Sequence, residues 1–270
     1  MRTAAVLSLS KLMCVSSRFC EEYLPLLFSV FDAAKEPVIR SNIVIALGDV
    51  AVCFSNMIDE NSDRLYQGLN DQDIHVKKNT LMVLTHLILN GMIKVKGQLG
   101  EMAKCIEDDD QRVGDLARLF FKELSTKENA LYNNLQDVIS HLSVGKHAVD
   151  EDTFEKTMRY IITFIDKEKQ AESIIEKLCQ RFRLATDERQ WRDIAFCLSL
   201  LPYKSERSVK KLIDGSVNTH YRTALDRSSG SYFSYILLSS LPFYQDKLHE
   251  PKVFDHFTKI LLKVRPSSST

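Results

Sequence analysis

Three segments in the first half of the chain carry one theme at a fixed interval of 37 residues: Glu36-Pro37-Val38-Ile39-Arg40-Ser41-Asn42, Asp73-Ile74-His75-Val76-Lys77-Lys78-Asn79 and Asp110-Gln111-Arg112-Val113-Gly114-Asp115-Leu116. Superposed, they align acids at 36, 73 and 110, β-branched residues at 39, 76 and 113, and large apolar residues at Leu47, Leu84 and Phe121. A period of this size belongs to a stacked repeat array, in which each unit buries its apolar face against the next. Each segment introduces one apolar helical run and follows another, so the unit is a pair of helices. Met1-Arg2 stands 38 residues before Ile39-Arg40, which places the start of the chain inside a fourth copy cut through its middle.

The apolar spacing assigns individual helices. Residues 3–16 read as a second helix without its partner, 19–32 as the next first helix and 38–54 as its mate, with Pro37 pre-setting the start. Pro25 removes a backbone donor and is expected to bend its helix or mark the first turn. The second unit pairs 60–69 with 74–90, closed by Asn90-Gly91 as a C-cap, and the third pairs 97–106 with 111–124. Four acids, Glu107 to Asp110, sit in the turn between the last two, where they suit the positive end of the following helix. They lack the glycine and spaced oxygen ligands of a calcium loop and read as a cap and a solvated turn. Beyond Ser125 the strict period fades, but 129–142, 152–166, 168–183 and 187–201 keep helical faces, with a loop at 143–147 and a shorter basic helix at 205–214.

The expected organisation is an all-α alpha solenoid over 1–214, irregular after about residue 125. Residues 215–244, rich in rings and serine, form an atypical insertion or a disordered segment. A C-terminal helix over 245–265 and a tail over 266–270 follow.

Composition limits the function classes. Apolar residues make up 44% of the chain, ample for a core, and 36 basic residues balance 36 acidic ones, so any basic surface must be local. The six cysteines include no C-x-x-C pair and lie mostly in apolar runs, as buried thiols of a reducing compartment do. The start of the chain is too broken by Ser and Lys for a signal peptide or membrane span, so an intracellular protein without membrane contact is expected.

Spaced catalytic groups do not emerge. Gly97-Gln98-Leu99-Gly100 lacks the Lys-Ser/Thr of a phosphate loop, and Gly230-Ser231 lacks the second glycine of a nucleophile elbow. The seven histidines never pair with a cysteine or with each other at zinc spacing. His86 reads as a satisfied core histidine, and Trp191 as packing rather than a base-stacking platform. No catalytic residue, cofactor, metal or small-molecule substrate is assigned.

Basic residues recur instead. Arg2, Arg40 and Lys77 share one phase at the starts of successive second helices, where their charge opposes the macrodipole by about 0.3–1 kcal/mol each and needs an offset. Acids of neighbouring turns, Glu36, Asp71 and Asp73, offer one inside the fold. The other reading is an edge for phosphates or acidic peptides, joined by Lys78, Lys94 and Lys96. Lys204, Arg207, Lys210 and Lys211 form a second basic cluster that reads as a solvated helix face.

Two resemblances follow from these residues. Asp71 with Val76-Lys77 resembles the HEAT repeat, as does Asp108 with Val113, although Gly114 replaces the expected base and puts the Asp-to-Arg ladder in question at the third unit. More specifically, Arg40 to Val50 and Thr85 to Gly97 resemble the C-terminal HEAT region of the condensin complex subunit 1 family, the D-type HEAT subunits of condensin I. The likeness continues through Leu119 to Leu124, Ala130 to Asn133 and Glu176 to Phe182, covering about 1–214 and again 245–264. Gln136 stands where that family often has proline, residues 216–243 match nothing in it, and the long N-terminal part is missing, as in a fragment or a short product.

The resemblance implies a non-enzymatic scaffold binding a kleisin subunit and SMC ATPase heads, contacting DNA, and helping to condense mitotic chromosomes. It places the protein in the nucleus and on mitotic chromosomes, with a cytoplasmic pool. The condensin II subunit is the nearest confusable relative. A HEAT adaptor of nuclear transport or vesicle trafficking, binding peptides without any nucleic-acid role, is the alternative.

Overall fold

In the computed structural model, which describes residues 1–212 except 96, 186, 204, 206 and 209, the 37-residue period becomes a succession of helix pairs. Among the described residues there are helices and no strands. The chain divides into two compact units, Met1–Leu142 and Ser143–Thr270.

The first unit contains the periodic part, an α-solenoid of HEAT type. Its second helices are α1 (Arg2–Met13), α3 (Pro37–Cys53), α6 (Ile74–Leu89) and α8 (Gln111–Ser125). They pack in sequence, α1 on α3, α3 on α6 and α6 on α8. The equivalent residues Ile39, Val76 and Val113 are all buried, as are Leu47, Leu84 and Phe121 one face-width along. Each such side chain withdrawn from water stabilises the stack by about 1.5–3 kcal/mol, and the repeat makes the gain recur in every layer.

First helices are less regular. Helix α2 (Ser17–Ala33) is long and runs unbroken through Pro25, which lies neither at a break nor in the first turn. Pro25 is exposed, so the carbonyl it leaves without a helical donor faces water. The single helix expected over 60–69 is instead α4 (Ser55–Glu60), α5 (Ser62–Tyr66) and a 3-10 turn, Gln67–Asn70. Likewise 97–106 shortens to α7 (Leu99–Lys104) and a 3-10 turn, Cys105–Glu107. Apolar periodicity marked the buried face in both places, but Asn61 side-chain bonding to the Met57 carbonyl caps α4 early.

The ends of second helices follow their sequence signals closely. Asp73 and Asp110 each accept hydrogen bonds from two N–H groups of the first turn that follows. At the end of α6, Gly91 adopts φ +68°, and the Met92 N–H reaches the Leu87 carbonyl at 2.8 Å while the Gly91 N–H reaches that of Ile88 at 3.0 Å, a Schellman closure. Helix α9 (Ala130–Ser143) follows.

The second unit holds α10 (Glu151–Ile162), α11 (Glu168–Leu184) and α12 (Glu188–Leu200), with α12 packed on both others. Trp191 stacks on Phe182 and donates its Nε1–H to the Ala185 carbonyl at 3.0 Å, a packing role. Buried Asp193 accepts from Ser143 Oγ at 2.5 Å; burial raises its pKa above the ordinary value against this hydrogen bond and the Arg189 charge. Of the basic helix expected over 205–214, residues 206, 209, 213 and 214 lie outside the described residues, as do Lys204 of the basic cluster and the segments 215–244, 245–265 and 266–270. No helix among the described residues is long and apolar enough to cross a membrane.

Candidate partner and nucleic-acid interface

Two aspartates per unit divide the work at the start of a second helix. The later one, Asp73 or Asp110, caps its own helix. The earlier one, Asp71 or Asp108, accepts the N–H of Asp73 or Asp110 at 2.8 and 3.0 Å and faces the preceding unit. Arg40 of α3 grips Asp71 with two parallel bonds, Nε–Oδ2 at 2.7 Å and Nη2–Oδ1 at 2.8 Å, and its remaining Nη1 donates to the carbonyls of Ala34 and Lys35. One unit on, Lys77 Nζ meets Asp108 Oδ2 at 2.6 Å.

Electrostatics follow burial. Burial pushes the Asp71 carboxyl up, but the hydrogen bonds from Arg40 and from the Asp73 backbone outweigh it and hold its pKa below the ordinary value. The Arg40 pKa is correspondingly raised, chiefly by the bond to Asp71. The first rung is different: position 34, equivalent to Asp71, is alanine, and Arg2 reaches Glu36 instead at 3.5 Å, with the two side chains 84% and 51% exposed. At the far end Gly114 offers no base. Arg118, one turn later, lies against it and binds Glu107 at 3.0 Å, so the ladder closes where the period ends.

Sequence reasoning had Asp73 among the acids available to the bases. The structure spends it on capping, and Asp108 is the partner of Lys77. The candidate binding residues therefore separate. Arg40 and Lys77 are engaged in the ladder and Arg2 has an exposed ion pair, whereas no ion pair among the described residues engages the side chain of Lys78 or Lys94. Lys78 is half-buried on α6, and Lys94 is exposed in the following loop with its backbone N–H on Asp59 at 2.9 Å. Lys96 lies outside the described residues. His86, expected in the core, is exposed on α6 beside the Asn90 side chain.

A second periodic feature lies at solvent-facing positions. Leu7, Ile45, Met82 and Leu119 occupy one phase of α1, α3, α6 and α8, at intervals of 38, 37 and 37 residues, and are 41%, 44%, 50% and 53% exposed. At this phase each second helix exposes a large apolar side chain, forming a ridge across the stack, while Leu12 on α1 and Val38 and Val52 on α3 are exposed at other phases. The signal was the same period already used for the core, read at a solvent-facing position.

The arrangement has rungs and caps made by its polar groups and a ridge of partly exposed apolar side chains. Residues 38–199 match the family described as non-SMC mitotic condensation complex subunit 1. The chain belongs to the condensin complex subunit 1 family. A condensin complex subunit 1 of Saccharomyces cerevisiae is 49% identical over 206 residues, 76% of this chain and 17% of the relative. One of Xenopus laevis is 49% identical over 212 residues, 78% of this chain and 16% of the relative. A condensin-2 complex subunit D3 of Mus musculus matches at 23% over 74% of this chain and 14% of its own length. The identities favour the condensin subunit 1 family over its condensin-2 relative, and the family match decides against a transport or trafficking adaptor. The chain spans about one sixth of the length of these curated subunit 1 relatives.

Proposed function

We propose that this chain serves as part of a non-catalytic scaffold in a condensin I complex, working in mitotic chromosome condensation. Its stacked second helices hold other subunits, a kleisin and the SMC ATPase heads, and its unpaired lysines meet DNA. The assigned place is the nucleus and mitotic chromosomes, with a cytoplasmic pool.

The carrying observation is the ridge of Leu7, Ile45, Met82 and Leu119. Apolar side chains at one solvent-facing position of four consecutive layers are left about half uncovered by the fold, which favours covering that face. Packed helices lie about 8–10 Å apart, and a helix advances about 10.5 Å in seven residues. A partner helix laid across the stack therefore meets one ridge residue per heptad. An extended strand, with same-face residues about 6.8 or 13.6 Å apart, falls out of step.

The test is co-purification of the tagged chain with the kleisin subunit of its complex. Ile45→Glu combined with Met82→Glu is expected to reduce capture at least about tenfold, because two ridge contacts become buried charges. Undiminished capture by a variant with an unchanged circular dichroism melt would remove the ridge from the interface. A DNA role rests on a separate observation, the unpaired Lys78 and Lys94.

A further inference from the structure

Four of the six cysteines, Cys20, Cys105, Cys179 and Cys197, are buried in the core, but Cys14 is half-buried and Cys53 exposed. Cys14 is the C-cap of α1, Cys53 the last residue of α3, and these two helices pack on each other. Both cysteines line one open groove of about 450 Å³ between them, with Leu7, Ile45, Asp49 and Val52. The Cys14 thiol is pushed up to about 11, first by burial and then by the charge of Cys53 and a side-chain hydrogen bond with it, Asp49 and Cys20 adding less. The two cysteines thus line one groove across the boundary between consecutive repeats, open to small molecules.

We propose that Cys14 and Cys53 are a dithiol modification site, which a peroxide converts to a disulfide joining α1 to α3. Cys53, the exposed member, reacts first: its thiolate sulfur attacks one peroxide oxygen, the O–O bond breaks, and a sulfenic acid forms as hydroxide leaves and takes a proton to become water. Cys14 then attacks the Cys53 sulfur, the S–O bond breaks, and a second water leaves. In sum two thiols and one hydrogen peroxide give one disulfide and two waters, the thiols losing the two electrons that the peroxide gains.

Geometry favours this pair over the other thiols. A disulfide needs Cα atoms within about 7 Å, and consecutive packed helices bring facing residues into that range. Both cysteines sit in last turns, which fray more readily than helix interiors and can accommodate the short S–S bond. Burial first, and then the neighbouring Cys53, hold Cys14 as the thiol until an oxidant arrives. Once formed, the bond ties one repeat to the next on the ridge face and resists their sliding.

The sequence makes the test direct. Trypsin places Cys14 in Leu12–Arg18, Cys20 in Phe19–Lys35 and Cys53 in Ser41–Arg64, one cysteine per peptide. The full folded chain is treated with hydrogen peroxide, its remaining thiols are blocked in denaturant, and the digest is read by mass spectrometry. The expected result is loss of two of the six thiols, with Leu12–Arg18 joined to Ser41–Arg64. The yield is at least about tenfold above that from chain oxidised in urea, because folding raises the local concentration of one thiol at the other. Dithiothreitol reverses the link. In Cys14→Ser the link is absent and Cys53 takes up dimedone as a sulfenic acid. Unlinked peptides, equal yield in urea, or Ser41–Arg64 joined instead to Phe19–Lys35 would each overturn the assignment.

Discussion

Arg40 and Arg2 occupy the same phase of their helices, yet burial gives their ion pairs different weights. The Arg40 and Asp71 side chains are 17% and 9% exposed, bidentate, and fixed by backbone bonds on both sides. Removing one member leaves a charge without its partner in a poorly hydrated seam. We expect Asp71→Ala to destabilise the first unit by about 2–4 kcal/mol, and Glu36→Ala, in the solvated Arg2 pair, by no more than about 0.5 kcal/mol. Urea unfolding of the two variants followed by circular dichroism checks this, and equal losses would contradict it. The acids and bases of the ladder were visible in the sequence, but their pairing was not. Arg40 and Lys77 each meet the acid 31 residues ahead, at 71 or 108, because the next unit packs alongside, while the acid two residues later, at 73 or 110, is drawn to free N–H groups of its own helix.

Among the elements, the short α7 shows how a polar contact can be set by a neighbour distant in sequence. Glu101 is buried on α7 and meets His141 Nε2 of α9 at 2.6 Å, Lys104 Nζ at 2.9 Å and the Asn70 amide at 3.1 Å. Gly100 permits the approach: a Cβ there would lie 2.5 Å from the His141 ring. Burial alone would raise the Glu101 pKa, but the bonds from His141, Lys104 and Asn70 and the charge of Lys104 override it and bring it down to about 2 from its ordinary 4.5. The folded state therefore binds this proton less readily than the unfolded chain. The stabilisation is present above pH 4.5 and is lost as pH falls from about 4.5 to about 2. The melting temperature is expected to fall across that window in the native chain and less steeply in Glu101→Gln. Identical profiles would mean that other carboxylates set the acid limit. Helix periodicity located α7 and α9 but carried no sign of this contact, since Gly100 and Glu101 have no equivalent pairing in the other units.

At the scale of the molecule, local charge must do what net charge cannot, because 36 basic and 36 acidic residues cancel. With Arg40 and Lys77 held in the ladder and Arg2 paired with Glu36, Lys78 and Lys94 are the described members of the original basic set without an ion pair. If each neutralises one phosphate, the double variant Lys78→Ala with Lys94→Ala should flatten the slope of log affinity for duplex DNA against log salt by about 2. An unchanged slope in a gel-shift titration would exclude them as phosphate contacts. What the amino-acid order determined by itself was the repeat: a 37-residue period, its β-branched and large apolar positions, the acidic cap in the Glu107 to Asp110 turn and the stop at Asn90-Gly91. These depend on neighbours within a turn or on a face repeated identically in each unit. Tertiary structure alone decided which acid each base holds, why Cys53 and His86 are exposed, how Glu101 reaches His141, and that Leu7, Ile45, Met82 and Leu119 stand outward in a row. Those outcomes depend on which helix lies beside which, and only packing brings such distant residues together.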